Sequence, residues 1–363
     1  MEEAVVVTAF SIGELAIPAS IDAPGAEDFI EMTHVRNRVG AEVAGNFDLA
    51  VRPDELLPSW HAQAFEEKRM LVARVDGRMV ARAVIELPTG TPVAWITVEV
   101  LRRFRRRGIG SALYDRLESI AATAGHPVVQ GFVVQGASDS VERIVAPTGF
   151  GSVPRDDDAS RFLLARGYSL EQVARMSRLE LPADRAALRR LFVRASADAG
   201  VDYKVHYWSG RTPPEHLLQV ADLRGRLATD APQGGLEPDT SPWTIARVQA
   251  EDDNLAASPR TRLTALVEFQ PTGEAAGYTE LDVPEETARA VTQGDTIVLQ
   301  EHRGHRLGML LKTANLLRLG EVSPGHPSVL SFTAEENRHM LQLNDTLGFV
   351  PWGYEGAWKK VLT

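Results

Sequence analysis

Apolar residues in this chain keep two spacings, every second position and every third or fourth, and these follow one another in an order that occurs twice. The runs R-M-L-V-A-R-V-D-G-R-M-V-A-R-A-V-I-E-L (69–87) and P-V-A-W-I-T-V-E-V (92–100) predict three strands. The first two are joined at Asp76-Gly77, a strong signal for a tight hairpin turn. From Ser111 the spacing becomes helical, with Leu113, Leu117, Ile120 and Ala121, and the helix is expected to end near Gly125 before a strand at 127–134. Ahead of these lie an expected strand at 4–10, a helix from about Glu27 to Gly45, and a loop with a short helix at 46–64. Behind them come an irregular acidic stretch at 135–160, a helix over Ala159 to Ala165, and a last strand reaching Leu181-Pro182. Asp184 is suited to cap a helix that Gly200 ends.

From Trp243 the order repeats. W-T-I-A-R-V-Q, R-L-T-A-L-V-E-F and A-A-G-Y-T-E-L-D-V read as strands, followed by T-I-V-L-Q-E-H-R-G-H-R-L-G-M-L-L-K, where a strand gives way to a helix. The two turns are offset by about 198 residues, which marks an internal duplication. The intervening 201–242 is aromatic and proline-rich, and its Tyr203, Tyr207 and Trp208 near His206 read equally as a pocket lining or as a hydrophobic cluster under a loop.

Strand, basic turn and helix bring the chemistry in. In V-E-V-L-R-R-F-R-R-R-G-I-G-S-A-L (98–113), Gly108 and Gly110 can adopt backbone angles closed to other residues, so that successive N–H groups can converge on an anion at a helix start. The helix terminus adds partial positive charge, and Arg105, Arg106 and Arg107 add full charges.

Arg105-x-x-Gly108-x-Gly110, preceded by a strand ending in Val and by Phe104, resembles the acyl-CoA pyrophosphate loop of the GNAT acetyltransferase superfamily. The second copy resembles it with changes: the strand ends in Val298, His302 takes the aromatic place, and Arg303-x-x-Arg306-x-Gly308 takes the loop, with Arg306 replacing the first glycine. The family's second motif is matched by Asn337, Asn344 and Gly348-Phe349. Asn344 stands where a proton-donating Tyr is usual. In the first copy Gly167-Tyr168 completes that motif, but Asp156 and Leu163 stand at the Asn and Tyr positions. Loop Arg and motif Gly are 45 residues apart in the second copy and 62 in the first, so the first holds about 17 extra residues, at 135–160.

The resemblance implies an α/β fold of two GNAT-like mixed-sheet domains in tandem, 1–182 and 183–363, similar to the tandem proteins of high-GC bacteria. It implies acetyl-CoA as acyl donor, held at Val100, Leu101, Arg105, Arg107, Gly108, Ile109, Gly110 and Ser111, and in the second copy at Val298, Arg303, His305, Arg306, Gly308 and Asn337. Transfer to an amine needs a base, and Glu99, Glu280 and Glu301 are the candidates, with Asn344 beside the leaving group. Each of the three carboxylates reads also as an ordinary strand-end charge. The acceptor is expected to be a primary amine of a small molecule or peptide, and the opposing reading is a catalytically silent acyl-CoA-binding regulatory or scaffold protein.

Composition narrows this further. A chain of 363 residues exceeds one ordinary core. Net charge of −10 argues against nucleic acid as partner, and zero cysteines excludes disulfides and thiolate metal sites and fits the cytoplasm. No metal is expected. The acidic start and the lack of an 18-residue apolar run predict neither signal peptide nor membrane span, and the oligomeric state is left open.

Overall fold

The computed structural model describes residues 9–135 and 140–362; most of the strand expected at 4–10 lies outside these. The chain forms two compact units, one of residues 1–136, 156–169 and 357–363 and the other of residues 137–155 and 170–356. Segments 137–155 and 170–180 therefore belong to the second unit although they precede Pro182.

The first unit runs β1 (Ser11–Glu14), α1 (Glu27–Ala44), α2 (Pro53–His61), β2 (Glu66–Val75), β3 (Arg78–Pro88), β4 (Val93–Val100), α3 (Ile109–Thr123) and β5 (Val128–Gln135). Asp76 and Gly77 both take positive φ (50° and 78°) at the β2–β3 turn, as the dipeptide requires. Strands β1 to β4 pair antiparallel in chain order, whereas β4 and β5 pair in parallel and only over Val93 to Trp95. Beyond Trp95 the two part. One face of the sheet carries α1 and α2 over a core of Phe29, Met32, Trp60 and Met70. Leu113, Leu117 and Ala121 are buried on α3, which packs on β3 and β4.

Two short strands, β6 (Arg143–Val145) and β7 (Ser152–Pro154), pair within the extra 135–160 stretch and belong to the second unit. α4 (Asp158–Ala165) of the first unit is capped by Asp157, which accepts from the amides of Ala159 and Ser160. β8 (Ser169–Glu180) then pairs antiparallel with a strand more than a hundred residues further on.

The second unit continues with α5 (Arg185–Ala199), capped by Asp184 and ended at Gly200 as its sequence predicts. β9 (Tyr203–Ser209), α6 (Leu217–Asp230), α7 (Ile245–Ala256), β10 (Arg260–Phe269), β11 (Glu274–Pro284), β12 (Val291–Val298), α8 (Leu307–Val322), β13 (Ser328–Ala334), α9 (Arg338–Leu347) and β14 (Val350–Val361) follow, the end of β14 from residue 357 belonging to the first unit. The run W-T-I-A-R-V-Q is not a strand. Thr244 accepts the Arg247 amide and starts α7, where Val248 is buried and Ala and Gln on either side favour helix.

Strands β9 to β12 pair antiparallel, and β12 and β13 pair in parallel at Val291 and Thr292 only. From β9 the order of the second unit is that of the first from β1. The helix α5 is additional; among the described residues no helix precedes β1. It covers the outer side of α8, which explains why α8 is apolar nearly all round, with Leu307, Leu310, Leu311, Ala314 and Leu319 buried together with Lys312 and Asn315. α6 and α7 cover the opposite face over Trp208, Leu223, Val248 and Tyr278.

Candidate functional site

The basic turn of the first unit closes β4 and opens α3. After Val100 and the buried Leu101, residues 102–104 make one 3₁₀ turn, Arg106 and Gly108 take left-handed backbone angles (φ 62° and 83°), and α3 starts at Ile109. The first helical bond is Ala112 N–H to Gly108 O, so the amides of Ile109, Gly110 and Ser111 are left at the open helix end. A Cβ on Gly108 would meet no protein atom within 4 Å, and one on Gly110 would reach Phe162 at 3.8 Å. The cradle is open in front of Gly108, the geometry that backbone binding of a diphosphate requires.

The arginines divide their tasks. Arg105 Nε donates to Val100 O at 3.0 Å and ties the loop to the strand end. Arg103 and Arg107 lie over the Phe104 ring at 4.8 and 5.2 Å, which holds two exposed cations in place. The Arg102 amide donates to Glu42 Oε2 at 2.8 Å. Glu99 is on the face covered by α1 and directly opposite Arg82, with which it forms a close ion pair.

The second unit makes the same turn. Arg303 Nε donates to Val298 O at 3.2 Å, Gly304 and Arg306 take the left-handed positions (φ 92° and 57°), and the first helical bond is Leu310 N–H to Arg306 O. The missing glycine does not alter the turn. With the copies offset by 198 residues, Gly304 matches Arg106 and Arg306 matches Gly108, so each turn has one glycine and one arginine at its two left-handed sites, in opposite order. Arg306 is half exposed and lies 3.4 Å from Asp198 of α5. His302 is buried: its Nε2 donates to Glu274 Oε1 at 2.9 Å, leaving Nδ1 to accept from the Tyr203 hydroxyl at 3.0 Å. The His305 ring lies beside Tyr203, and a Cβ on Gly308 would meet Leu343 at 3.0 Å.

The remaining candidates scatter. Asn337 caps α9, accepting from the Met340 amide at 3.2 Å. Asn344 is buried and accepts from Lys312 Nζ at 2.8 Å while donating to Ser331 and Thr333. Glu301 is exposed and 3.6 Å from Arg226. Glu280 is buried between Arg224 (3.0 Å) and Arg262 (3.6 Å). The site matching Glu99 in the second unit is Ile297, with Gln300 and Glu301 of the following turn three and four residues further on, so neither Glu280 nor Glu301 replaces it. The aromatic group of β9 divides between faces: Tyr203 packs on Phe269, Trp208 stacks on His216, and Tyr207 is exposed beside Arg318.

Two groups escaped the sequence reading. Lys312, alone in an apolar helix, is fully buried, and burial pushes its ammonium down to about 7. Asp295 follows Gly294 inside β12, and a glycine with a charge in mid-strand is a bulge signal. Its carboxyl is pushed up to about 6, by burial first and by the charge of Glu280 second. Asp295 is nonetheless solvent-accessible.

Residues 42–137 match the model of the acetyltransferase (GNAT) family. Among solved structures, a tandem GNAT protein from the clavulanic acid biosynthesis pathway is similar at 23% identity and TM-score 0.73, over 97% of this chain and 98% of that one. A GCN5-related N-acetyltransferase from Sphaerobacter thermophilus is similar at 15% identity and TM-score 0.60, over 97% and 95%. The N-myristoyltransferase of Saccharomyces cerevisiae, solved with myristoyl-CoA, is similar at 11% identity and TM-score 0.56, over 97% and 80%. No curated protein sequence matches significantly. The fold is thus that of the tandem GNAT proteins. Within that fold, residues 42–137 are the part that matches the acetyltransferase (GNAT) family. No described helix is long and apolar enough to cross a membrane.

Proposed function

We propose that the chain is a cytoplasmic acetyl-CoA-dependent N-acetyltransferase acting on a primary amine of a small molecule or peptide, with the first unit the tighter acetyl-CoA site and the second the seat of turnover. The observation that carries this is the turn at 102–111. Open helix amides, an uncovered Gly108 and the exposed Arg103, Arg106 and Arg107 stand together there, a match to a diphosphate that a solvated surface turn does not need. The second turn has fewer cations and an acidic neighbour, Asp198, and so supports weaker phosphate binding. Its unit, however, keeps Asn337 and contains the aromatic, proline-rich 201–242 region as material for an acceptor pocket.

The opposing reading, a silent acyl-CoA-binding regulator, is favoured by one fact: Leu163 and Asn344, at the usual Tyr positions, are buried without an acidic hydroxyl. Thiol release with acetyl-CoA and a panel of amines separates the two. Amine-dependent release supports the enzyme; stoichiometric CoA binding with release no faster than hydrolysis supports the regulator.

A further inference from the structure

We infer that the second unit takes its acyl group from an acidic carrier protein, as a thioester on a phosphopantetheine arm, and that the arginine face of α5 is where the carrier docks. This rests on the reading that the second unit turns over, and it names the form of that unit's donor.

The second turn shows how much of a donor it can hold. A carrier arm and CoA share the pantetheine and its phosphate; CoA adds a second phosphate and a phosphorylated ribose, which call for further cations. At the 198-residue offset, Arg102, Arg103 and Arg106 of the first turn become Gln300, Glu301 and Gly304, and Arg107 becomes His305. Arg303 and Arg306 remain, the one tied to Val298 O and the other 3.4 Å from Asp198. The open amides of α8 with Arg306 suit one phosphate and leave little for a nucleotide.

The cations that the turn lacks stand beside it on α5. Arg189, Arg190 and Arg194 are exposed, and among the described residues none is bonded to a carboxylate; Arg190 only feels Asp184 at longer range. Positions 190, 194 and 198 follow one another at single-turn intervals, so this row of arginines leads to Asp198 and through it to Arg306. At 1.5 Å per residue, Arg194 is about 6 Å and Arg190 about 12 Å along the axis from Asp198. Val193, on the same face, is 58% exposed and gives an apolar spot among the cations. Arg185, at the start of the helix, is instead held by Glu321 at 2.5 Å. The first unit, whose turn has its own arginines, has no such helix among the described residues.

Charge selects the partner. The chain carries −10 overall, so an acidic protein is repelled by most of the surface and oriented to this face. A carrier seated on α5 has the phosphate of its arm at the end of the row, where the turn lies. The transfer needs no further reactant. The nitrogen of a neutral amine attacks the thioester carbonyl, the N–C bond forms, and the C–S bond breaks with its electron pair on sulfur. The proton that nitrogen loses matches the one the thiolate takes up, and the carrier leaves as free thiol.

The test uses the full chain and a small acidic acyl carrier protein loaded as its acetyl thioester. The variant is Arg189→Gln/Arg190→Gln/Arg194→Gln, which keeps helix propensity, and Arg185→Gln is the matched change on the same helix. Calorimetry is expected to show carrier binding that weakens between about 50 and 300 mM salt. The triple variant should weaken it at least tenfold and Arg185→Gln should leave it alone, with acetyl-CoA binding by the first unit unchanged in both. With the best amine of the panel, kcat/KM for the acetyl-carrier should fall about tenfold in the triple variant while that for acetyl-CoA holds. Equal carrier binding by wild type and triple variant, or no binding by either, overturns the inference, as does a higher kcat/KM with acetyl-CoA than with the carrier. Tighter binding of a duplex oligonucleotide, lost in the same variant, assigns the face to nucleic acid and overturns it too. If the carrier binds through the arginines yet neither donor releases thiol with any amine, the turnover reading fails and the docking face stands. Thiol release from acetyl-CoA without carrier binding leaves that reading whole and ends this one.

Discussion

The two turns of this molecule reach one backbone shape by different means. At 105–110 the glycine stands at the second left-handed position, in front of the helix amides, and an arginine takes the first; at 303–308 the order is reversed. The tie from the loop arginine to the strand-end carbonyl is common to both, at 3.0 and 3.2 Å. The exchange teaches that the turn needs two left-handed residues and is nearly indifferent to which is glycine. The ligand is not indifferent. A bare backbone before the helix amides admits a phosphate, whereas an arginine there brings a side chain into the same space and, in this chain, one that leans on Asp198. Surroundings widen the difference: the first turn stands on the exposed stack of Arg103, Phe104 and Arg107, the second on a buried His302 held by Tyr203 and Glu274.

The largest effect expected from breaking this contrast is at Gly108. Gly108→Glu forces a side chain into the left-handed region at φ 83° and places a carboxylate where the anion approaches. CoA binding by the first unit should fall at least 100-fold, read by calorimetry as loss of the tighter site, while turnover in the second unit persists. If affinity and stoichiometry are unchanged, the turn is not the phosphate cradle. Next in size is Arg303→Ala, which releases the second turn from Val298 and should lower turnover about tenfold, with the tighter CoA site intact. Should Gly108→Glu alone abolish activity and Arg303→Ala leave it whole, the division of labour between the units is reversed.

Local chemistry was legible in the sequence and pairing between distant strands was not. The hairpin at Asp76-Gly77, the caps at Asp184 and Gly200, and both strand–turn–helix passages follow from a few adjacent residues. That β8 lies against β13, rather than with the strands that precede it in the chain, depends on contacts some 150 residues apart that leave no mark on period or turn signals. The strand read at W-T-I-A-R-V-Q failed because short apolar runs fit either period, and the cap at Thr244 decided for helix. Site candidates chosen as carboxylates near a strand end missed Asp295 and Lys312, whose shifted titration comes first from burial, a property of the fold.

Lys312 sharpens the contrast in cores. Its counterpart at the 198-residue offset is Tyr114, which packs on Tyr168 and Phe162, whereas Lys312 has Asn344 and the Phe349 ring, 5.8 Å away. A lysine that titrates at about 7 when folded and about 10.4 when unfolded binds fewer protons in the native state between those values. Stability therefore rises with pH across that window, and the penalty is complete below 7. Lys312→Met should raise the melting temperature by a few degrees at pH 6 and have little effect near pH 10, net of the acceptor it strands on Asn344. A gain that does not shrink with pH would show that burial does not lower the Lys312 pKa in the fold.

The smallest effect tests the exchange of glycine and arginine itself. Arg306 at φ 57° carries backbone strain of about 1–2 kcal/mol that glycine lacks, and glycine returns about 0.4–1 kcal/mol of it as unfolded-chain entropy. Arg306→Gly should therefore stabilise the second unit by about 0.5–1 kcal/mol, since the pair it breaks with Asp198 joins two half-exposed groups and contributes little. Arg106→Gly should do the same in the first unit, by the same reasoning at φ 62°. Gly304→Ala should cost about as much as these gain, because its Cβ meets nothing within 4 Å and only the backbone term acts. Denaturant titration with an unchanged slope reads these differences directly. Arg306→Gly also restores the bare backbone before the helix amides of α8. If phosphate space rather than charge is what the second turn lacks, CoA affinity there rises; if it falls, the Arg306 guanidinium was itself a phosphate contact and the two turns bind by different groups.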